Sequence, residues 1–176
     1  MTVGILKETK TKEYRVALDN YEVARLTSLG IKVLVLKDAG MGVGITDHDY
    51  EDAGALVLDD KEELISSSKV IIKVKEPTLS ECKLLKSHHI LFCYLHLAAF
   101  PEQTRMLCDS GVTAIGYETV RSKDGQLPLL KPMSQIAGRL AVQNAAHYLQ
   151  KHNGGRGILM SGVGGVQKGK ILIIGG

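Results

Sequence analysis

Short β-branched and aliphatic runs recur along this chain, separated by stretches with helical spacing, and this alternation limits the folds open to it. The runs are Val3 to Leu6, Ile31 to Leu36, Val70 to Val74, Ile90 to Leu95, Val112 to Ile115 and Ile171 to Ile174. Strands that alternate with helices pair in parallel, because each return to the same edge direction needs a crossover. Most of the runs are apolar at nearly every position, as expected for strands covered by helices on both faces. The pattern predicts an α/β fold built on a doubly wound, mostly parallel sheet of Rossmann or flavodoxin type. Local signals agree. Asp19 with Glu22 makes a capping-box-like start, Val23, Leu26 and Leu29 form a stripe, and Gly30 closes that helix. Pro101 and Gly111 frame another.

From Asp124 to Met133 a glycine and two prolines interrupt regular structure, so a domain boundary is expected there. We place a first domain at 1–127. The second stretch, 128–176, should hold a long interdomain helix capped by Ser134 and running to about Lys151. A glycine-rich turn region and the run Ile171 to Ile174 follow, ending on Gly175 and Gly176. An apolar strand running into glycines is how a dinucleotide-binding turn opens, so this segment reads as the first strand of an incomplete Rossmann domain. A strand with a plain glycine tail fits the same six residues. The SGVGG stretch, with Gly162 to Gly165, lacks the spacing and Lys-Ser/Thr ending of a phosphate loop and reads as a turn.

Composition excludes several function classes. The 22 basic and 19 acidic residues are interspersed, giving a net charge of +3 with no one-signed block to hold a polyanion, so nucleic acid is not an expected partner. Three widely spaced cysteines, Cys82, Cys93 and Cys108, form no C-x-x-C pair, which argues for reduced thiols, no metal site and a cytoplasmic location. No apolar run is long enough for a signal peptide or a membrane span.

In an open parallel sheet, ligands collect beyond the carboxyl ends of the strands. Three polar residues are expected there: Arg15 in the charged loop after the first run, Lys75 just past VIIKV and ahead of Glu76-Pro77, and His96 directly after ILFCYL. Together they outline a site for a small carbonyl acid, with Arg as a bidentate carboxylate clamp, Lys as a point charge near a carbonyl oxygen and His as proton donor and acceptor. Each has a plainer reading as well. Arg15 fits a solvated surface charge, Lys75 a lysine reaching out from a strand end, and His96 a buried, satisfied histidine. His88 and His89 read as ordinary loop residues.

The segment GILKETKTKEYRVAL resembles the N-terminal signature of alanine dehydrogenases and the related transhydrogenase α chains. IIKVKEP, ILFCYLHLAA, GVTAIGYETV, LPLLKPMSQIAGRLA and GGRGILMSGVGGV are most similar to alanine dehydrogenases, and the histidine-bearing segment sets them apart from transhydrogenases. Leu6, Leu18-Asp19-Asn20 and Gly164 depart from the family pattern at loop or capping positions. The resemblance implies that Arg15 and Lys75 bind the carboxylate and carbonyl of pyruvate or L-alanine and that His96 is the catalytic acid/base. It implies that Met133 lines the same cleft, and that Ser134, Gly175 and Gly176 contact NAD. It implies reversible oxidative deamination of L-alanine to pyruvate and ammonia, and a homo-oligomer, hexameric in the family. It also implies that this stretch lacks a complete NAD site, so that dehydrogenase activity is not expected of it alone. Two alternatives stay open: a short non-catalytic member acting as an oligomerisation or binding module, and a piece of a transhydrogenase α chain.

Overall fold

The computed structural model describes residues 1–166 and 168–174 and divides into two compact units, Met1–Val120 and Arg121–Gly176. The first holds a six-stranded sheet: β1 (Thr2–Ile5), β2 (Lys32–Leu36), β3 (Leu56–Leu58), β4 (Val70–Ile72), β5 (Ile90–Cys93) and β6 (Thr113–Gly116). Its order is β3-β2-β1-β4-β5-β6 and all five ladders are parallel. This is the doubly wound Rossmann order. Its winding direction reverses between β1 and β4, which opens a crevice beyond their carboxyl ends.

Alternation along the strands sorts the core onto two faces. Leu34 faces a cluster with Leu64 and Ile65 of α3 (Lys61–Ser67), Cys82 of α4 (Leu79–Leu84) and Leu107 of α5 (Pro101–Ser110). Its neighbours Val33 and Val35 face the other way, onto Val23 of α1 (Asn20–Ser28) and Tyr50 of α2 (Asp47–Asp52). Tyr50 is fully buried and donates its hydroxyl to the Leu18 carbonyl at 2.8 Å; burial pushes its pKa up to about 12. β1 lies so close to α3 that a Cβ on Gly4 would sit 2.3 Å from Ser68 Oγ. Helix ends follow the sequence signals. The Asp19 carboxylate accepts the Glu22 amide, Gly30 and Gly111 take positive φ after α1 and α5, and Pro101 opens α5.

Two expectations about strands are corrected. β3 was not among the expected runs; it is a three-residue edge strand, half exposed at Leu56, and too short to carry a periodic signal. Ile171–Ile174 is not a strand. Its side chains are 60–90 % exposed, and a strand exists only through pairing, for which the described residues offer no neighbour.

In the second unit α6 (Lys131–Leu149) begins earlier than expected. Pro132 occupies its first turn, where a missing N–H costs nothing, and Leu130 stands at the N-cap, so Ser134 lies inside the helix and not at its cap. Gln150 ends it, ahead of a short 3-10 turn closed by Gly154 with positive φ. Gly162, just before a tight turn bridged by Val163 and Val166, and Gly165, inside it, also take positive φ, in keeping with the turn reading. Among the described residues no helix is long and apolar enough to cross a membrane.

Candidate functional site

The crevice between β1 and β4 is built by two loops that the sheet brings side by side. After β1 the chain enters the charged loop that carries Glu8, Glu13 and Arg15. After β4 it passes Lys73, Val74, Lys75 and Glu76 before Pro77 and the start of α4. Glu8 joins the two walls. Its Oε1 accepts the Val74 amide at 2.7 Å and the Lys75 amide at 3.2 Å. Burial raises its pKa, against the pull of the Lys73 charge and of those two amides.

Arg15 is held in a fixed pose. Its Nε and Nη2 donate to the two oxygens of Glu13 at 2.8 and 2.7 Å, and its backbone amide adds a third bond at 3.1 Å. The Glu13 side chain is 8 % exposed and that of Arg15 43 %, so the carboxylate is sheltered while the guanidinium stays open to solvent. The Arg15 hydrogen bonds, outweighing burial, hold the Glu13 carboxyl below its usual range, and the Lys75 ammonium contributes in the same sense. Arg15 and Lys75 thus act on one carboxylate from two loops. The Arg15 loop owes its position to Gly42, where a Cβ would lie 2.4 Å from the Tyr14 carbonyl oxygen.

Two cavities meet at Glu8. One, of about 170 Å³, is lined by Lys7, Glu8, Glu13, Arg15, Asp38 and Gly42 among others. The other, of about 520 Å³, is lined on one side by Lys73, Lys75 and Glu76 and on the other by Phe100 and Gln103. The smaller lies well below the roughly 300–1,000 Å³ of drug-sized sites and has room only for a small ligand.

His96 lines neither cavity; it joins them through neighbours. Its imidazole stacks on the Tyr94 ring at 6.0 Å and 17°, and the Tyr94 hydroxyl lies within the field of Arg15. Burial pushes the Glu76 carboxyl up, but its hydrogen bond with Lys10, its own backbone amide and the charges of Lys10 and His96 outweigh this, and it ends below the usual range. His96 is exposed, not a satisfied core histidine, and its backbone is left-handed at φ 48°. That conformation is costly for a side chain with a Cβ. The Glu118 carboxylate supports it by accepting the His96 amide at 2.9 Å and the Leu95 amide at 3.1 Å. A Cβ on Gly116 would crowd Glu118 Oε2 at 3.0 Å, so the glycine clears space for that carboxylate.

All three predicted residues, Arg15, Lys75 and His96, fall in the first unit, the first two lining the cavities that meet at Glu8 and His96 lying outside both, after β5. Met133 and Ser134 lie on α6 of the second unit, half-buried and exposed respectively. Gly175 and Gly176 lie outside the described residues. Sequence reading missed Glu8 and Glu13, because glutamates in a lysine-rich loop look like surface charge, and Tyr94 and Glu118, which meet Arg15 and the Leu95 and His96 amides only once the sheet is formed. It also missed the buried pair Lys73–Glu81, 2.7 Å apart and each 1 % exposed. His89, read as an ordinary loop residue, does lie in a loop but is buried, with Nδ1 accepting the Lys86 amide at 2.9 Å.

A dinucleotide needs a glycine-rich turn that leads into a helix N-terminus. The connection from Lys7 to Asp19 contains no glycine, and the described part of the second unit has no strand-turn-helix element. These residues do not make a cradle for NAD.

Comparison with known proteins agrees with this geometry. The model for the N-terminal domain of alanine dehydrogenase/PNT matches residues 4–137, and that for the C-terminal domain matches residues 141–176. An alanine dehydrogenase of Methanococcus maripaludis is 47 % identical over all of this chain, which covers 47 % of that protein. One of Bacillus subtilis is 48 % identical, again over all of this chain, which covers 46 % of its length. The chain thus spans about half the length of the curated relatives it matches. A solved L-alanine dehydrogenase superposes with a TM-score of 0.84 at 46 % identity, over 96 % of this chain and 46 % of that one. A transhydrogenase from Sinorhizobium meliloti gives 0.62 at 31 %, over 67 % of this chain and 35 % of that one.

Proposed function

The chain belongs to the alanine dehydrogenase/PNT family, and we propose that its first unit is the substrate-binding part of an NAD-dependent alanine dehydrogenase. In this reading Arg15 meets the carboxylate of pyruvate or L-alanine, Lys75 polarises the carbonyl oxygen, and His96 gives and takes the proton. The observation that carries it is that Glu8, which accepts the Lys75 amide, lines both the smaller cavity with Arg15 and the larger one with Lys75 at the β1/β4 switch point. Arg15 supplies planar, directional donors to a carboxylate, Lys75 a point charge, and an imidazole titrates near neutrality as proton transfer requires. Nicotinamide, when bound, supplies the hydride chemistry of oxidative deamination. Since the described residues form no dinucleotide cradle, no step here runs through it. Lower likeness to the transhydrogenase favours the dehydrogenase reading. A cytoplasmic homo-oligomer belongs to the same reading, supported by exposed apolar residues along α6 such as Ile136, Leu140 and Tyr148.

The test is an NMR titration of the chain with pyruvate, in the parent and in Arg15→Ala and Lys75→Ala. Weak, saturable binding is expected in the parent and loss in both variants. Binding unchanged in both variants removes the assignment. Since the described residues form no dinucleotide cradle, the chain alone is expected to form no NADH from L-alanine.

A further inference from the structure

We propose that Lys10 is a positioning residue whose ammonium holds together the three loops that carry Arg15, Lys75 and His96. The inference rests on the reading of those three as the substrate residues. Each stands in a different connection: Arg15 after β1, Lys75 after β4 and His96 after β5. The pairing of β4 with β5 extends to Tyr94, whose amide donates to the Val74 carbonyl at 3.0 Å. Beyond it the Leu95 and His96 amides turn to Glu118, and the chain runs through a 3-10 turn, Leu97–Ala99, to Phe100. Thr104 ties that turn to its own helix, α5, by donating to the Leu97 carbonyl at 2.8 Å. Leu97 and Phe100 are both exposed, so burial does little to anchor the turn against the other two loops.

Lys10 crosses that gap. It belongs to the Arg15 loop, where its carbonyl accepts the Glu13 amide at 3.0 Å. Its ammonium pairs with Glu76, the neighbour of Lys75, and lies 5.3 Å from the centre of the Phe100 ring, within reach of a cation–π contact. Lys10, Glu76 and Phe100 all line the larger cavity together with Lys75. The Glu76 side chain is 9 % exposed, and its Oε2 has no hydrogen-bond partner among the described residues, so this sheltered carboxylate leans on Lys10. Lys10 itself is half exposed, and a pair of that kind adds little to the stability of the whole unit. Its effect is local. Loops fixed beforehand spare a ligand the entropy of gathering them.

The experiment reads the free and the bound 176-residue chain separately. Lys10→Met should keep Tm within about 4 °C of the parent. It should speed amide exchange at Ala99 and Phe100 about threefold, although neither is near it in sequence, and weaken pyruvate about fivefold in an NMR titration. Lys10→Arg, which can keep both the ion pair and the ring contact, should restore both readouts. Phe100→Leu, which removes the ring and leaves the Lys10 charge, should weaken pyruvate in the same direction. If Lys10→Met weakens pyruvate while exchange at Ala99 and Phe100 is unchanged and Phe100→Leu binds as the parent does, Lys10 meets the ligand directly and the inference is overturned. Unchanged exchange and affinity in Lys10→Met overturn it as well, as does a larger fall in Tm with faster exchange throughout the sheet. Pyruvate binding that survives Arg15→Ala would instead sink the underlying site reading, an outcome distinct from these because the exchange measurement involves no ligand.

Discussion

Replacing Glu81 by alanine should destabilise the first unit by about 4 kcal/mol, more than any surface substitution would. Glu81 and Lys73 are each 1 % exposed and 2.7 Å apart, so removing the carboxylate strands an ammonium without water. Breaking a buried pair from one side costs about 3–5 kcal/mol, and the lower end, about 3, applies here because the Glu8 carboxylate also lies in the field of Lys73. A second loss adds to it. Glu81 is the N3 residue of the capping box that opens α4, accepting the Thr78 amide at 2.8 Å, and such caps contribute about 1 kcal/mol. The reverse deletion should be milder. In Lys73→Met the carboxylate keeps the Thr78 amide and still has Lys61 Nζ at 3.7 Å, so about 2 kcal/mol is expected. Lys73→Met combined with Glu81→Leu should recover much of the loss, since apolar replacement of both partners is often close to neutral. For a unit of this size 1 kcal/mol corresponds to about 4 °C in Tm. Glu81→Ala should therefore melt about 15 °C below the parent, and urea titrations of the two single variants and the double variant would close the cycle. Equal costs for the two single variants, or a strictly additive double variant, would refute the claim that Glu81 answers to more than Lys73.

Two further outcomes are expected. Glu118→Ala should leave the sheet folded, because Glu118 is not part of its core, but should release the left-handed turn at His96. Amide hydrogen exchange at Leu95 and His96 should speed by about tenfold or more, and exchange unchanged at both positions would show that Glu118 does not support the turn. His89 is held below its usual pKa, chiefly by burial and then by the charges of His88 and Lys69, so the unfolded chain binds its proton first. Its contribution is therefore complete above pH 6.5 and is lost as pH falls below that value. Urea midpoints measured from pH 7.5 to 5 should decline less steeply in His89→Gln than in the parent, and parallel curves would count against it.

Much of the fold was legible because the sheet is buried on both faces and its central strands are apolar throughout. β1, β2, β4 and β5 announced themselves in this way. β3 did not, since three residues at an edge carry no period. Ile171–Ile174 carried the apolar signal of a strand, but pairing is decided by a neighbour that composition does not encode. Ser134 was read as a cap when the better signal lay two residues earlier, in Pro132 at a helix start. Arg15, Lys75 and His96 stood out because strand ends are where an open parallel sheet gathers ligands. Their partners stayed hidden for a physical reason: Glu8 finds Val74 and Glu118 finds His96 only after distant strands align. The same holds for Lys73, which passed as the polar member of an apolar run until α4 placed Glu81 beside it.

The Glu8–Val74 bond joins residues 66 positions apart. Neither wall of the crevice is therefore a binding element by itself, and no shorter stretch contains a rudimentary form of it. The crevice comes into being only when β4 docks against β1, a closure whose entropic cost grows with the length of the intervening loop. A ligand that touches both walls recognises the completed junction and not its parts, so it must also strengthen it by mass action. A small ligand bound there would be a removable clasp across the seam between the two halves of the sheet.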